Sequence, residues 1–297
     1  DGSIFAWGLN NSGQLGDNTT TNRSTPVQVH GVSDSGFLTN VASSTGGEFF
    51  TVVLKNDGTV FSWGKNTAYQ LGNNTDTNSS TPVQILGNGH AASGINITDV
   101  SNILSGGGFS LALKSDGTVF AWGENSSSQL GDGTTTDRYT AVQVHGVGDS
   151  GFLTGVSSIG VGETFAFAVK TDGTLYAWGS NSGGQLGDNS TTTRSTPVQV
   201  HGVGDSGFLT DVMGVLGGVN HSVAVKSDGT VYAWGDNDYG QLGDNTIVES
   251  HVPVQVLGVG GSGFLTDVSN MSAGGSYFSI ALKTDGTVFG WGNNDYG

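Results

Sequence analysis

Residues 109–131 read FSLALKSDGTVFAWGENSSSQLG, and this stretch decides the fold. An apolar run at residues 109–113 is followed by Lys-Ser-Asp-Gly and by a second apolar run that ends at Trp122. Asp-Gly between two such runs is a strong hairpin signal, because Gly adopts a positive φ at no steric cost. The stretch therefore predicts a β-hairpin followed by a polar turn.

The same pattern recurs along the 297-residue chain at intervals of 56 to 59 residues. Every Trp is followed by Gly, stands six residues after an Asp-Gly pair and precedes an Asn by three residues. In five repeats Gln-Leu-Gly comes next. The tryptophans are Trp7, Trp63, Trp122, Trp178, Trp234 and Trp291, and the asparagines are Asn10, Asn66, Asn125, Asn181, Asn237 and Asn294. Such self-similarity indicates a repeat architecture.

Each repeat offers two further apolar runs besides the hairpin. A Val-Gln-Val or Val-Gln-Ile run follows Pro in four repeats, and another run ends at a Gly shortly before the hairpin. Four short antiparallel strands per repeat are typical of a propeller blade, whose stacked neighbours cover both of its faces. The predicted fold class is therefore all-β: a β-propeller built of four-stranded antiparallel blades, with about 57 residues per repeat. A β-solenoid is the alternative, although its rungs are shorter.

The repeats predict one propeller region over residues 1–297, with five full repeats and a 13-residue overlap. The overlap arises because residues 1–13 and 285–297 carry the same motif. Closing five repeats into a ring would duplicate one strand, and a larger ring would lack part of a blade. We therefore expect a segment of a longer repeat chain, and a closed ring of five or six blades is the alternative.

Composition limits the classes of function. The chain has 25 acidic and 9 basic residues, a formal net charge of −16, 52 Gly and no Cys. The charge argues against nucleic acid and anionic membrane surfaces, which need Lys and Arg, and favours a basic partner or a divalent cation. No apolar run reaches the ~20 residues of a membrane helix, so we expect no membrane insertion. Thiolate zinc sites and Cys nucleophiles are excluded.

The repeat resembles a known family. Gly-x-x-(Phe/His)-Ser-x-Ala-Leu-Lys-x-Asp-Gly-Thr-Val-(Phe/Tyr)-x-Trp-Gly-x-Asn-x-x-Gly-Gln-Leu-Gly is similar to the regulator of chromosome condensation repeat, over essentially the whole chain. The resemblance implies a propeller of four-stranded blades, usually seven. One position departs from the family, which often has His where Phe50, Phe109, Phe165 and Phe278 stand here, and only His221 keeps it.

The resemblance also bears on function. The eukaryotic namesake exchanges nucleotide on a small GTPase and binds chromatin, but the acidic charge and the lack of a long insertion argue against both activities here. The Thr-rich loops look like those of bacterial extracellular members, so we expect an extracellular or cell-surface location in a bacterium. The predicted function is a non-enzymatic binding or structural module of a secreted or cell-surface protein, which binds a protein partner, self-associates or serves as a repeated architectural unit.

Two alternatives remain open. One is a propeller enzyme, a lyase or glycan hydrolase, for which Glu48, Glu163 and Glu249 are the candidate carboxylates. The other is a guanine-nucleotide-exchange-like regulator. No Ser-His-Asp constellation, phosphate-binding loop or His-Glu-x-x-His motif appears, so no catalytic residue and no cofactor is predicted.

Candidate site residues are those that break the repeat, because a repeated residue usually has a structural role. We interpret the Trp side chains as blade packing and the Asn side chains as turn-forming. The predicted partner-binding residues are Tyr69, His90, Tyr139, Tyr239, Glu249 and His251. Asp236-Asn-Asp-Tyr-Gly240 with Asp244 resembles part of a calcium loop, which allows weak calcium binding, but the other repeats lack this pattern, and no metal site is predicted.

Overall fold

The computed structural model describes residues 2–87, 96–273 and 277–295, and almost all of its regular structure is β. The chain divides into two compact units. The first comprises Asp1–Ser126 and Thr134–Val144, and the second comprises Ser127–Gly133 and His145–Gly297. Among the described residues, no helix has the length and apolar character that crossing a bilayer requires.

The first unit contains one two-stranded sheet and two four-stranded sheets, all antiparallel. The two-stranded sheet consists of β1 (Phe5–Gly8) and β2 (Arg23–Gln28). The next sheet consists of β3 (Val41–Gly46), β4 (Phe50–Lys55), β5 (Val60–Gly64) and β6 (Ser79–Gln84). The third consists of β7 (Val100–Ser105), β8 (Phe109–Lys114), β9 (Val119–Gly123) and β10 (Arg138–Gln143).

The second unit contains two four-stranded sheets and one three-stranded sheet, with strands again paired in chain order. The first sheet consists of β11 (Val156–Val161), β12 (Phe165–Lys170), β13 (Leu175–Gly179) and β14 (Arg194–Gln199). The second consists of β15 (Val212–Gly217), β16 (His221–Lys226), β17 (Val231–Gly235) and β18 (Ser250–Gln255). The third consists of β19 (Val268–Ser272), β20 (Phe278–Lys283) and β21 (Val288–Gly292).

The hairpin predicted at each Lys-x-Asp-Gly is confirmed. Between β4 and β5, the Lys55 amide donates to the Thr59 carbonyl and the Gly58 amide to the Lys55 carbonyl. Gly58 has a φ of +78°, which a side chain would strain. Asp57 closes the turn by accepting a 3.0 Å hydrogen bond from the Thr59 amide. The sequence places Asp-Gly here because both residues satisfy this tight turn.

The fourth strand of each sheet begins earlier than the sequence pattern predicts. The pattern places this strand at residues 83–85, after Pro82, whereas β6 begins at Ser79 and contains Pro82. The pairing with β5 shifts register between Ser62↔Val83 and Gly64↔Ser79. Proline fits this strand because β6 is the last strand of its sheet and Pro82 lies at the irregularity, where no ladder hydrogen bond is lost.

The core of each unit lies between adjacent sheets. In the first unit one cluster joins Phe50 and Leu54 of β4 to Ile103 of β7 and Trp122 of β9. In the second unit a comparable cluster includes Phe165, Phe167, Val215 and Trp234. In the four-stranded sheets the second and third strands are therefore buried on both faces, which explains their nearly continuous apolar sequences, whereas β20 and β21 are partly exposed.

First and fourth strands make different contacts with their neighbours. Within a unit the first strands of adjacent sheets contact each other, as β3 contacts β7 and β11 contacts β15. The fourth strands instead contact short 3₁₀ turns from the preceding repeat. Turn Val32–Asp34 contacts β6, turn Val147–Asp149 contacts β14 and turn Val203–Asp205 contacts β18. A fourth such turn is Val259–Gly261.

Candidate functional site

Each four-stranded sheet has two chemically different ends. The end that holds the turn between the second and third strands is called the hairpin end. The opposite end holds the connection from the first to the second strand and the long loop from the third to the fourth, and it is called the variable end. These two connections touch, because the Lys65 amide donates to the Phe49 carbonyl, and Glu124, Ser180, Asp236 and Asn293 repeat this bond in their own repeats.

The hairpin end presents the same Lys, Asp and Gly in all five complete hairpins. The hydrogen bonds from Thr174 hold the pKa of Asp172 below its usual value, and Asp57, Asp116, Asp228 and Asp285 show the same effect. The hairpin lysines face partners of their own repeat, as Lys226 lies 3.6 Å from Asp211 and Lys283 lies 3.4 Å from Asp267. These groups stabilise the turn, and they are nearly the same from one repeat to the next.

The tryptophans join one repeat to the next. The indole nitrogen donates to the backbone carbonyl of the Gln in the preceding repeat, at 2.8 to 3.0 Å. The bonded pairs are Trp63–Gln14, Trp122–Gln70, Trp178–Gln129, Trp234–Gln185 and Trp291–Gln241. Trp63, Trp122, Trp178 and Trp234 are fully buried, whereas Trp7 is 63% exposed and Trp291 is half-buried.

The repeated asparagines organise the long loop of the variable end. Asn181 donates from its amide to the carbonyls of Ser190 and Thr192 and to the Asp188 carboxylate, and its own oxygen accepts from the Leu186 amide. One buried side chain therefore holds both halves of the loop together. Asn10, Asn66, Asn125 and Asn237 are equally buried, while Asn294 is exposed.

In the same loop a buried aspartate pairs with a partly exposed arginine. Arg194 donates to Asp188 at 2.7 Å, and Arg23 makes the same contact with Asp17. Burial raises the pKa of Asp188, but the hydrogen bonds from Ser190 and Arg194 together with the charge of Arg194 outweigh it, and the pKa lies below its usual value. The pair stabilises the loop and leaves neither charge uncompensated.

Two of the residues that break the repeat form an aromatic pair in the first unit. The rings of Tyr69 and Tyr139 lie 4.1 Å apart between centroids, at an interplanar angle of 78°. Desolvation and the neighbouring Tyr139 raise the pKa of Tyr69. Tyr69 precedes Gln70 at a φ of +62°, and Tyr139 lies in β10 of the next repeat. The sequence singled out both residues, and the structure brings them together.

Three further predicted residues lie in the loop before β18 and at its start in the second unit. The rings of Tyr239 and Tyr277 lie 4.8 Å apart between centroids and are tilted by 41°, and Glu249 Oε1 lies 3.3 Å from His251 Nε2. The imidazole of His251 packs on Gly184 of the preceding repeat, where a Cβ would overlap the ring. The sixth predicted residue, His90, lies outside the described residues.

Tyr277 is a site residue that sequence reasoning missed. It occupies the position held by Phe49, Gly108, Thr164 and Asn220 in the other repeats. That position varies in every repeat, and this variation is the signal that could have identified it. It also carries the carbonyl that accepts the Asn293 amide, so Tyr277 belongs to the variable end.

The described residues contain no group of three or more His, Asp or Glu side chains placed to hold a metal ion. In the fragment that resembles a calcium loop, the carboxylates of Asp244 and Asp236 accept hydrogen bonds from the protein itself. Asp244 accepts from Asn237 at 3.2 Å and from both the amide and the hydroxyl of Thr246. Asp236 accepts from the Asp238 amide at 3.2 Å. This geometry gives no support to a calcium site.

Three half-buried histidines each pair with an aspartate of their own repeat. His30, His145 and His201 each lie 2.5 Å from an aspartate four residues later, and a Phe ring stands edge-on to each imidazole. These contacts lie within one turn each and repeat without change. They give the turn its shape in three repeats, whereas Leu86 and Leu257 stand at the same position in the other two.

Comparison with known proteins identifies the repeat. Residues 1–54, 57–113, 116–169, 172–225 and 228–282 match the Regulator of chromosome condensation (RCC1) repeat. The chain belongs to the RCC1 repeat family. The solved structure of the RCC1 protein Prp20p from Saccharomyces cerevisiae aligns with 98% of this chain and 67% of the Prp20p chain. The two share 23% identity, and the TM-score is 0.75. The predicted fold class, a propeller of four-stranded antiparallel blades, is therefore confirmed.

RCC1 relatives match along the whole chain. The ultraviolet-B receptor UVR8 of Arabidopsis thaliana is 30% identical over 295 residues, which are 99% of this chain and 62% of UVR8. The E3 ubiquitin-protein ligase HERC2 of Homo sapiens is 28% identical over 294 residues, which are 99% of this chain and 6% of HERC2. The chain thus spans less than two thirds of the length of these RCC1 relatives.

Proposed function

We propose that this RCC1-family chain is a non-enzymatic protein-binding module that presents the variable ends of its sheets to a partner. One observation carries the proposal. Residues that break the repeat gather at the variable end and pair there, and the Tyr69–Tyr139 pair is the clearest case. The hairpin end keeps the same Lys, Asp and Gly in all five complete hairpins.

Physical chemistry favours this surface as the binding site. Tyrosine provides a large contact area at a small entropic cost and is enriched among residues that dominate interface energies. Tyr139 is 48% exposed although it is aromatic and lies in a strand. The buried asparagines hold the long loops in place, so a partner would meet a preorganised surface.

The relatives support a protein partner. Prp20p of Saccharomyces cerevisiae has binding properties towards Gsp1p and histones, and UVR8 is a receptor by name. We carry over only the general role of protein interaction. Glu249, the enzyme candidate that breaks the repeat, lies 3.3 Å from His251 in an exposed loop, which favours a surface role. A turnover abolished by Glu249→Gln in a substrate screen would overturn the non-enzymatic proposal.

We further propose a secreted or cell-surface location in a bacterium. The composition and the Thr-rich loops support this location. Residues 142–154 and 198–210 have the same sequence, VQVHGVGDSGFLT. This identity also supports an architectural use of the repeats. Protease treatment of intact source cells tests the location: we expect loss of the protein from intact cells, and full protection would contradict it.

Binding through the variable end is tested by a matched pair of double variants in the first unit. Tyr69→Ala with Tyr139→Ala alters the variable end, and Asn56→Ala with Ser115→Ala alters exposed residues of the hairpin end. A partner captured from the source organism would be purified and titrated against both proteins. We expect at least about a tenfold loss of affinity for the tyrosine variant only. Equal affinities for both variants would contradict the proposal.

A further inference from the structure

We propose that residues 236–251 of the second unit, together with Tyr277, bind a cationic protein segment that also carries apolar side chains. The inference rests on the proposed function and specifies the partner chemistry of one of its surfaces. We call this surface the acidic-apolar loop. Its distinctive chemistry emerges from comparison with residues 180–195, which occupy the same position one repeat earlier in the same unit.

The two loops share their framework but differ in their outward-facing chemistry. Both have the buried Asn, the Gln-Leu-Gly and the Asp that follows. Asn237 donates to the carbonyls of Thr246 and Val248 at 3.2 and 3.1 Å, as Asn181 does to those of Ser190 and Thr192. The sequence differences therefore change the exposed side chains of the loop and leave its backbone hydrogen bonds to the buried Asn the same.

The acidic-apolar loop displays apolar side chains where the earlier loop has small polar ones. Ile247 and Val248 replace Thr191 and Thr192 and are 71% and 67% exposed. Tyr239 replaces Gly183 and is 48% exposed, and Tyr277, whose ring it contacts, is 38% exposed. The exposed apolar surface of this pair is unfavourable in water, and covering it with a partner lowers the free energy.

The same loop carries an excess of negative charge. Residues 236–251 contain Asp236, Asp238, Asp244 and Glu249 and no Lys or Arg, which gives a formal charge of −4. Residues 180–195 contain Asp188 and Arg194, which gives zero. Asp238 and Glu249 are exposed, so their field reaches solvent. Charge complementarity therefore selects a partner with Lys or Arg near its apolar residues.

Other occupants fit this surface less well. A second copy of the chain has a formal net charge of −16 and would bring like charges together. A cation alone would leave Ile247 and Val248 uncovered, and Asp244 already accepts from Asn237 and Thr246. A cationic segment with apolar side chains satisfies both the charge and the exposed apolar area.

The test uses two labelled peptides and fluorescence anisotropy at several salt concentrations. The probe is an eleven-residue peptide of alternating Lys and Leu, and the control peptide replaces each Lys by Glu. Protein variants restore the earlier repeat: Ile247→Thr with Val248→Thr removes the apolar pair, and Asp236→Ser with Asp238→Ser and Glu249→Thr removes three charges. The matched charge control is Asp99→Asn with Asp211→Asn and Asp267→Asn at hairpin ends.

We expect the Lys-Leu peptide to bind the unaltered chain and the Glu-Leu peptide not to bind. The apolar variant and the loop-charge variant should each lose about tenfold in affinity or more, which corresponds to ~1.4 kcal/mol. The loop-charge variant should also show a weaker salt dependence, because fewer ion pairs form. The hairpin-end variant should stay within about twofold of the unaltered chain.

Two outcomes would overturn the inference. An equal loss in the hairpin-end variant would show that the peptide follows net charge alone. An unchanged affinity in the apolar variant would show that Ile247 and Val248 take no part. Either result would leave the proposed function standing if the Tyr69 and Tyr139 double variant still loses its purified partner, so the two failures are distinguishable.

Discussion

Gly187 lies against the indole of Trp234: a Cβ on Gly187 would come 2.8 Å from the Trp234 ring nitrogen. The same nitrogen donates to the carbonyl of Gln185 at 2.8 Å. Gln-Leu-Gly therefore forms the binding site for the tryptophan of the next repeat. The Gln carbonyl accepts the indole N–H, and the absence of a side chain on Gly leaves room for the ring. Gly16–Trp63, Gly72–Trp122 and Gly243–Trp291 repeat this contact.

Replacing Gly187 by Ala should destabilise the protein more than replacing Gly204 does. Both glycines have a positive φ, +69° and +63°, so both substitutions introduce backbone strain of about 1 kcal/mol. Only Gly187 also faces the indole, and overpacking there adds about 1–3 kcal/mol. Gly204 has no atom within 4 Å of its Cβ position. Urea denaturation of the two variants measures the difference. Equal free energies of unfolding would contradict a close contact between Gly187 and the Trp234 indole.

Replacing Asn181 by Ala should be costly, because its carboxamide is buried and fully hydrogen-bonded. The substitution leaves the Leu186 amide and the Ser190 and Thr192 carbonyls without their partner. The buried Leu186 amide left without an acceptor costs about 1–3 kcal/mol, and the partly buried carbonyls add less, so we expect a total loss of about 3 kcal/mol. Asn294→Ala at the same repeat position is the matched control, because Asn294 is exposed. A comparable loss in both variants, measured by thermal unfolding, would refute the role of the buried amide.

His221 should make stability depend on pH. It is fully buried, its Nε2 lies 3.1 Å from Ser279 Oγ, and burial lowers its pKa from 6.5 to about 4. The unfolded chain binds a proton at this residue below pH 6.5, whereas the folded chain does so only near pH 4. The stability that the neutral His221 contributes is therefore complete above pH 6.5, falls as the pH drops towards 4 and stays constant below. The total change is about 3 kcal/mol.

The control for this prediction exists in the chain itself. Phe50, Phe109 and Phe165 occupy the His221 position in other repeats, so His221→Phe keeps an aromatic side chain that the site accepts. The difference in free energy of unfolding between the two proteins should change between pH 6.5 and 4. A difference that stays constant across this range would show that His221 does not titrate as described.

Sequence predicted the strands because their causes are local. Asp57-Gly58 between apolar runs specifies a hairpin, and the apolar runs of β4 and β5 specify burial on both faces. The predicted start of β6 was wrong because the pattern treats Pro82 as a strand boundary. The last strand of a sheet tolerates proline, since its outer side needs no N–H donor.

The site could be predicted only in part. Tyr69 and Tyr139 stand out because each breaks the repeat, but their contact joins two repeats and needs the structure. The acceptor of each Trp is a backbone carbonyl 49 to 52 residues earlier, and residue types alone do not reveal such a bond. Tyr277 was missed because its position differs in every repeat, so no consensus exists for it to break.

The most direct test of binding through the variable end is photo-cross-linking of the purified partner from two positions of the first unit. A photoreactive phenylalanine analogue would replace Tyr139 at the variable end in one protein and Ser115 at the hairpin end in the other. Both side chains are exposed, so both probes are accessible. We expect a cross-link to the partner from position 139 and none from position 115. A cross-link from position 115 alone, or equal yields from both, would contradict binding through the variable end.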